Sequence, residues 1–456
     1  MSEVKHHRDL GYDEVLLDPI RRTGPKFYFT VAVLGSLVLL GFYAYFYQLR
    51  KGLGVTGLNR PVYWGVYITN FVFFIGISHA GTLISAILRL AQAEWRRAIT
   101  RSAEVITVMV LFFGVISILV DLGRPDRMFN MVFHGHFQSP LLWDMTSISV
   151  YLTGSCIFLF LPLIPDIAII RDHYPESRFH FFYRILAFGW VGTLRQQKAL
   201  DTAIIIMSIL IIPIAVSVHT VVSFVFAMTV QPMWHSAIFG PYFVVGAIFS
   251  GIAALIVAMA IIRWVYKLDG YLKDIHFNNL GILLLVFTML WFYFTFAEYL
   301  TTFYGDEPTH MAVWKSKVLP SGKFALPFLV MFLTCFVIPF ALLCNRWTRT
   351  VKGTVIASIS VTIGMWLERF IIVVPSLSNP RLPIERGIYF PTWVEWSILV
   401  GCFAFFILLY VLFTKFFPIV SIWEIREGRE VSVEEVSRRV EGYLPPDNPV
   451  PREEKT

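Results

Sequence analysis

The sequence predicts an all-α integral membrane protein of about ten transmembrane helices, and three observations carry that prediction. Of its 456 residues, 56% are hydrophobic and only 15% are charged, a composition far from that of a soluble domain. Apolar runs of roughly 20 residues, the length a helix needs to cross about 30 Å of hydrocarbon, recur along the whole chain. Lys and Arg are dense in every second connecting segment, the asymmetry expected of a multi-pass protein.

The runs fall at about 28–48, 62–90, 98–121, 140–164, 200–228, 241–265, 277–302, 324–345, 353–374 and 391–415. The first 27 residues mix acids and bases and lack a short apolar core followed by a small-residue cleavage site, so the first span is expected to be its own insertion signal. The second run is long enough to be tilted. The openings of spans two and six share aromatics and small residues, with Gly76 and Gly81 against Gly246 and Gly251. An internal duplication of four-helix units and simple small-residue helix contacts both account for that likeness. Pro213 and Gly364 interrupt the fifth and ninth runs.

The chain thus divides into an N-terminal segment (1–27), a membrane domain (28–415) and a polar tail (416–456) with Pro445, Pro446, Pro449 and Pro451. Within the long connection 165–199, the stretch Arg178 to Trp190 is rich in aromatics and bases, which suits an interfacial helix or a partner-facing loop. The segments 1–27, 89–101, 165–199, 263–273, 346–352 and the tail hold most of the Lys and Arg, whereas the loop at 229–240 has none. Both termini are therefore expected on the cytoplasmic side of the membrane. The net charge of +7 follows from that asymmetry, with cytoplasmic basic residues facing anionic lipid headgroups, and gives no case for nucleic-acid binding.

Cofactor ligands are scarce. Cys156, Cys335, Cys344 and Cys402 lie in or beside apolar runs, with no CxxC or CxxCH, which excludes cysteine-ligated iron–sulfur clusters and c-type haem attachment. Only His79 and His219 lie well inside spans, and no helix carries a haem-pair spacing, so no haem, cluster or metal is expected on this chain. Each of these two histidines reads equally as a proton relay or as a hydrogen bond between helices.

Buried charge is the remaining signal. Arg369 stands in the apolar run Ile363-Gly-Met-Trp-Leu-Glu-Arg-Phe-Ile-Ile-Val-Val374, Asp121 ends the third span, and Asp144 opens the fourth. Ionisable groups at such depth are costly and mark function by default. Topology puts all three in the outer leaflet, where they are expected to gather at one face. Acids beside a guanidinium can take protons from a quinol and orient its headgroup. The same charges also fit a fixed ion pair between helices, or the anion site of a proton-coupled transporter. Glu298 and Glu395 lie at similar depth, either as a proton exit or as solvated helix ends.

Several runs together resemble one membrane family: Asn70 to Leu88 with its His-Ala-Gly-Thr, Gly123-Arg-Pro125, Ser139-Pro-Leu-Leu-Trp-Asp144, Ser217 to Ser223, Pro241 to Gly251, and Gly364-Met-Trp-Leu-Glu-Arg-Phe370. They are similar to the NrfD-type (PsrC-like, polysulfide reductase membrane subunit) family, most closely to its ActC branch, the quinol-binding subunits of alternative complex III. The resemblance implies two four-helix bundles plus two extra helices and no redox cofactor on the chain itself. It also implies menaquinol oxidation near the periplasmic face, with electrons leaving through a periplasmic iron–sulfur subunit and a multihaem cytochrome c subunit beside a paralogous membrane subunit. Asp144 and Arg369 carry over as the quinol clamp. Asp121 departs from the family, whose members tend to have a histidine before Gly-Arg.

Overall fold

The computed structural model describes residues 16–20, 23–382 and 387–428. Its described part contains ten helices long and apolar enough to cross a membrane. They are α1 (Pro25–Lys51), α2 (Val66–Leu90), α3 (Thr100–Asp121), α4 (Pro140–His173), α5 (Leu194–Ala227), α6 (Phe239–Tyr266), α7 (Asp274–Gly305), α8 (Ala325–Leu343), α9 (Val351–Ser378) and α10 (Trp393–Phe416). The polar tail and most of the N-terminal segment lie outside the described residues.

Helices α2 to α5 pack as one four-helix unit and α6 to α9 as a second, joined mainly through α2 against α6, with α9 also touching α2. Helices α1 and α10 pair with each other and flank the first unit through α3 and α2. That pairing depends on close approach: a Cβ on Gly41 would lie 2.9 Å from the Gly401 Cα, closer than side chains tolerate. Helix α2 is the hub, and its run from Phe71 to Ser78 is buried throughout.

Two expectations about helix limits change. Pro213 and Gly364 lie inside unbroken helices, because neighbouring helices can supply the packing and polar partners that a lone helix lacks. Helices α4 and α5 each run 34 residues, about 50 Å, so both project well past the hydrocarbon. Between them a short helix, His180–Leu186, leaves Phe181 and Ile185 exposed, as an interfacial segment would. Helix α8 carries a π-helical turn at Leu333–Val337.

One end of the bundle is bound by charge. Arg101 at the start of α3 bonds Asp166 near the end of α4 at 3.0 Å, with both side chains 1% exposed or less. Glu424, in the segment after α10, accepts from Arg89 at 2.7 Å and from Arg96 at 3.1 Å. Ser85 donates to Glu104 at 2.6 Å beside them. Sequence placement counted these arginines as loop charges. Their burial comes from the chain folding back after α10, which no local pattern announces.

Burial alone would raise the Glu424 carboxyl, but the Arg89 and Arg96 guanidinium groups hold it below the usual carboxylate range. A depressed carboxylate stabilises the fold above its unfolded-state value, and that contribution is lost as pH falls through the lower folded value. Glu424→Gln is therefore expected to lower stability by about 3 kcal/mol at neutral pH. Thermal unfolding of the detergent-solubilised protein should show that deficit shrinking as the pH drops below the carboxylate range.

Candidate functional site

Arg369 is 1% exposed and about 13 Å from the end of α9 at Ser378, deeper than a helix ending at Pro375 would place it. Its ion-pair partner is Glu368, with Nη1 3.0 Å from Oε2, and Glu368 is also 1% exposed. Successive residues on a helix diverge by about 100°, so both side chains must bend towards one junction. There the guanidinium lies over the Phe243 ring, 4.9 Å from its centroid, and Trp291 Nε1 donates to Glu368 Oε1 at 3.4 Å. The space comes from glycine: a Cβ on Gly246 would lie 2.7 Å from Arg369 Nη2, and one on Gly76 would lie 4.0 Å from it. The charge thus sits where α2, α6 and α9 meet.

The two span histidines do come together. Their rings are 4.0 Å apart between centroids, edge to face, in the first four-helix unit. His79 Nε2 lies 2.7 Å from the Ala215 carbonyl and Nδ1 lies 3.3 Å from the Ile75 carbonyl. Neither ring nitrogen of His219 has a hydrogen-bond partner among the described residues, although the ring is fully buried. Beside them Tyr151 shares a short hydrogen bond with Thr82 and donates to the Ser78 carbonyl at 3.1 Å. Ser78, Thr82, Ser85 and Arg89 follow one another at three- and four-residue steps, a polar stripe down one face of α2 towards Glu104.

The other predicted residues occupy separate places. Asp144 is 5% exposed on α4, two turns from Tyr151 on the same face, and its Oδ1 has no partner among the described residues. Asp121 has an unpartnered Oδ1 as well, and it ends α3 close to Gln48, whose amide donates to the Val120 carbonyl at 2.9 Å. Neither acid forms an ion pair with Arg369 among the described residues. Glu395 is fully buried with both oxygens engaged: it accepts from the Gly57 and Thr392 amides at 2.7 and 2.9 Å and from the Tyr389 hydroxyl, closing a capping box at the start of α10. Glu298 accepts from Ser236 at 2.6 Å.

Glu298 and Glu368 line one narrow cavity with Lys317, Tyr242, Tyr299 and Trp234. Its volume of about 20 Å³ has room for roughly one water and none for a quinone ring. Lys317 lies on the short surface helix Pro308–Val318; burial pushes its ammonium down to about 8, against the pull of the Glu298 and Glu368 carboxylates. Glu368, Asp166 and Glu104 are buried polar residues that sequence reasoning passed over, and Arg101 and Lys317 were counted only as loop charges. For Glu368 the signal was present, since an acid directly before a buried Arg is itself a candidate partner.

These features define the class: a polytopic helical membrane protein with charged and histidine side chains buried between its helices. The chain belongs to the NrfD family, since its residues 54–380 match the family model for polysulphide reductase NrfD. Among curated relatives, a Halobacterium salinarum protein assigned by name to the membrane part of a dimethyl sulfoxide reductase is 28% identical over 229 residues, half of each chain. A selenate reductase subunit of Mesobacillus selenatarsenatis is 24% identical over 417 residues, 86% of this chain and 94% of the relative. The integral membrane subunit of the Hdr-like menaquinol oxidoreductase of Archaeoglobus fulgidus is 24% identical over 420 residues, 88% of this chain and 96% of the relative.

Two outcomes follow from the Arg369 junction. Gly246→Ala drives a methyl group into a guanidinium held on several sides, and should destabilise the solubilised protein by about 1–3 kcal/mol in thermal or denaturant unfolding. Arg369→Ala leaves Glu368 as a buried, unpaired carboxylate and should be worse, about 3–5 kcal/mol, whereas the double change Glu368→Gln with Arg369→Met should recover part of that loss.

Proposed function

We propose that this chain is the quinol-binding membrane subunit of a multi-subunit quinol:acceptor oxidoreductase of the alternative complex III kind in a bacterial inner membrane. The observation that carries this reading is Asp144: a carboxylate on an apolar helix, 5% exposed, with one oxygen that has no hydrogen-bond partner among the described residues. An unsatisfied buried acceptor is expensive, and a quinol hydroxyl would satisfy it while presenting its proton to a base. The family membership and the full-length relative named as a menaquinol oxidoreductase subunit support menaquinol as the substrate.

Menaquinol would dock at the end of the bundle where α4 begins, the periplasmic end by Lys and Arg placement. Asp144 would take a proton as the quinol is oxidised. The two electrons would leave for a periplasmic iron–sulfur subunit and from there to a multihaem cytochrome c subunit, with a paralogous NrfD-like membrane subunit alongside. Asp121 would be a second acceptor near the same end. Arg369 would act at a distance, as the charge that sets the field around the histidine pair.

The polar stripe of α2 favours proton movement as an added role. From Asp144 the face of α4 leads to Tyr151, which bonds Thr82 and Ser78, next to His79 and His219, and the stripe continues through Ser85 to Glu104. In this reading His219, with both nitrogens unpartnered, exchanges the proton, while Glu298 serves the separate small cavity and Glu395 caps a helix. The selenate reductase relative supports the neighbouring reading, an equivalent subunit in another reductase complex, which the identity of the co-purifying subunits would distinguish.

Asp144→Asn is expected to lower kcat for menaquinol oxidation by about 10²–10⁴-fold in an intact complex that still assembles. Unchanged turnover would reduce Asp144 to a packing residue. Anion uptake into liposomes by the purified chain, without bound quinone or redox partners, would instead identify a transporter and overturn the proposal.

A further inference from the structure

A second cluster lies outside the membrane-spanning helices, on the loops that close the end of the bundle opposite Arg101 and Glu424. His235 is in the connection between α5 and α6, Glu307 is the residue capping the short helix Pro308–Val318, and His310 sits in that helix's first turn. The ligand atoms of all three lie within 4.8 Å of one another. His310 Nε2 is 3.0 Å from His235 Nε2 and 3.6 Å from Glu307 Oε2.

Those separations match the edges of a metal polyhedron. Two ligands each about 2.0–2.1 Å from a tetrahedral zinc ion stand about 3.4 Å apart, so small side-chain shifts would admit the ion. The ligands are also oriented. His235 Nδ1 lies 3.1 Å from the Gln231 carbonyl, which can only accept; that fixes the hydrogen on Nδ1 and leaves a bare lone pair on Nε2, facing His310. Thr309 Oγ1 donates to Glu307 Oε1 at 2.8 Å and leaves Oε2 turned to the histidine pair. Two imidazoles and one carboxylate are the donor set of open zinc sites, with water in the fourth position. Magnesium and calcium prefer all-oxygen sites.

We propose that His235, Glu307 and His310 bind a divalent transition metal ion of the zinc class, which fastens the α5–α6 connection to the short helix over the Glu298 cavity. The link to the cavity is direct: Ser236, next to His235, donates to Glu298, and Lys317 of the short helix lines the same space. The expectation of a metal-free chain considered only histidines in spans and short motifs. Here the two histidines are separated by 75 positions, and only the fold brings them together.

The test is zinc titration of the full chain, purified in detergent with whatever subunits accompany it and washed with chelator, followed by calorimetry with Zn²⁺ alone. Wild type should bind one more Zn²⁺ per chain than His235→Ala with His310→Ala, and Mg²⁺ at equal concentration should not displace it. Loss of an outer hydrogen-bonding partner commonly weakens a metal site about 10–100-fold, so His310→Ala should weaken this one at least as much. His310→Cys keeps a zinc-binding donor and should restore binding, which separates ligation from damage to the fold. His173→Ala, at the other end of the bundle, should change nothing. Equal zinc stoichiometry in wild type and the double variant, or displacement by Mg²⁺, overturns the proposal. None of these readouts uses quinol turnover, so the outcome is independent of the proposed quinol chemistry.

Discussion

The structure turns on how a guanidinium is kept at depth between two helix bundles. Moving an ion from water to a low-dielectric interior costs several kcal/mol even after relaxation, and only a close counter-charge with additional polar contacts offsets that. Here the counter-charge is Glu368, the residue immediately before Arg369, and the pair is neutral as a unit. Adjacent residues on a helix ordinarily face apart, so their meeting at 3.0 Å requires a shared space to bend into. Gly246 provides it on α6, and the aromatic face of Phe243 covers the cation, which has no second acid as ion-pair partner among the described residues. Charge and side-chain size together thus specify how α6 and α9 pack within the second unit, and the guanidinium reaches the seam with the first unit only beside Gly76 of α2. In a lipid environment, where apolar burial drives helix association weakly, such contacts decide how bundles dock.

The ends of the protein solve the same problem differently. At the Arg101 end the charges form a network: Arg89 and Arg96 share Glu424, and Arg101 bonds Asp166, which also accepts from the Trp423 amide at 3.0 Å. A network spreads each charge over several partners and ties α2, α3 and α4 to the segment after α10. Between this network and the Asp144 end lies the polar face of α2, where Ser78, Thr82 and Ser85 bond their neighbours one by one. A face of that kind is expensive within a span unless each group is satisfied. Beside that face, on α5, His219 is buried with neither ring nitrogen partnered among the described residues.

Much of the fold was legible in the sequence because a bilayer imposes length and polarity so strictly that ten runs could be counted directly. The two bundles and the flanking pair were expected from the family resemblance, and Arg369 was recognised from its place in an apolar run. What the sequence concealed is azimuth. Position along a helix gives a charge its depth, but not the neighbour it faces, so Asp121, Asp144 and Arg369 looked like one cluster when only their depth was known. Arg369 turns instead to its own neighbour in sequence. The buried network of Arg101, Asp166 and Glu424 was hidden for a related reason: residues at helix ends look solvated until the chain returns over them.

Asp121 and Glu395 show how similar acids part company once their surroundings are known. Both are at the ends of apolar helices, and both were candidates for proton chemistry. Glu395 has both oxygens engaged by backbone amides and a tyrosine hydroxyl, so it holds the start of α10 against the segment before α2. Tyr389, its partner, also receives the Val66 amide at 3.0 Å, which fixes where α2 begins. Asp121 retains an unpartnered oxygen a short way off, beside the bond from Tyr67 to Gln48. The first acid is part of the frame, and the second keeps an open acceptor, as the proposed proton transfer would need. An unpartnered oxygen, more than depth or charge, separates Asp121 from an acid that holds the helices in place.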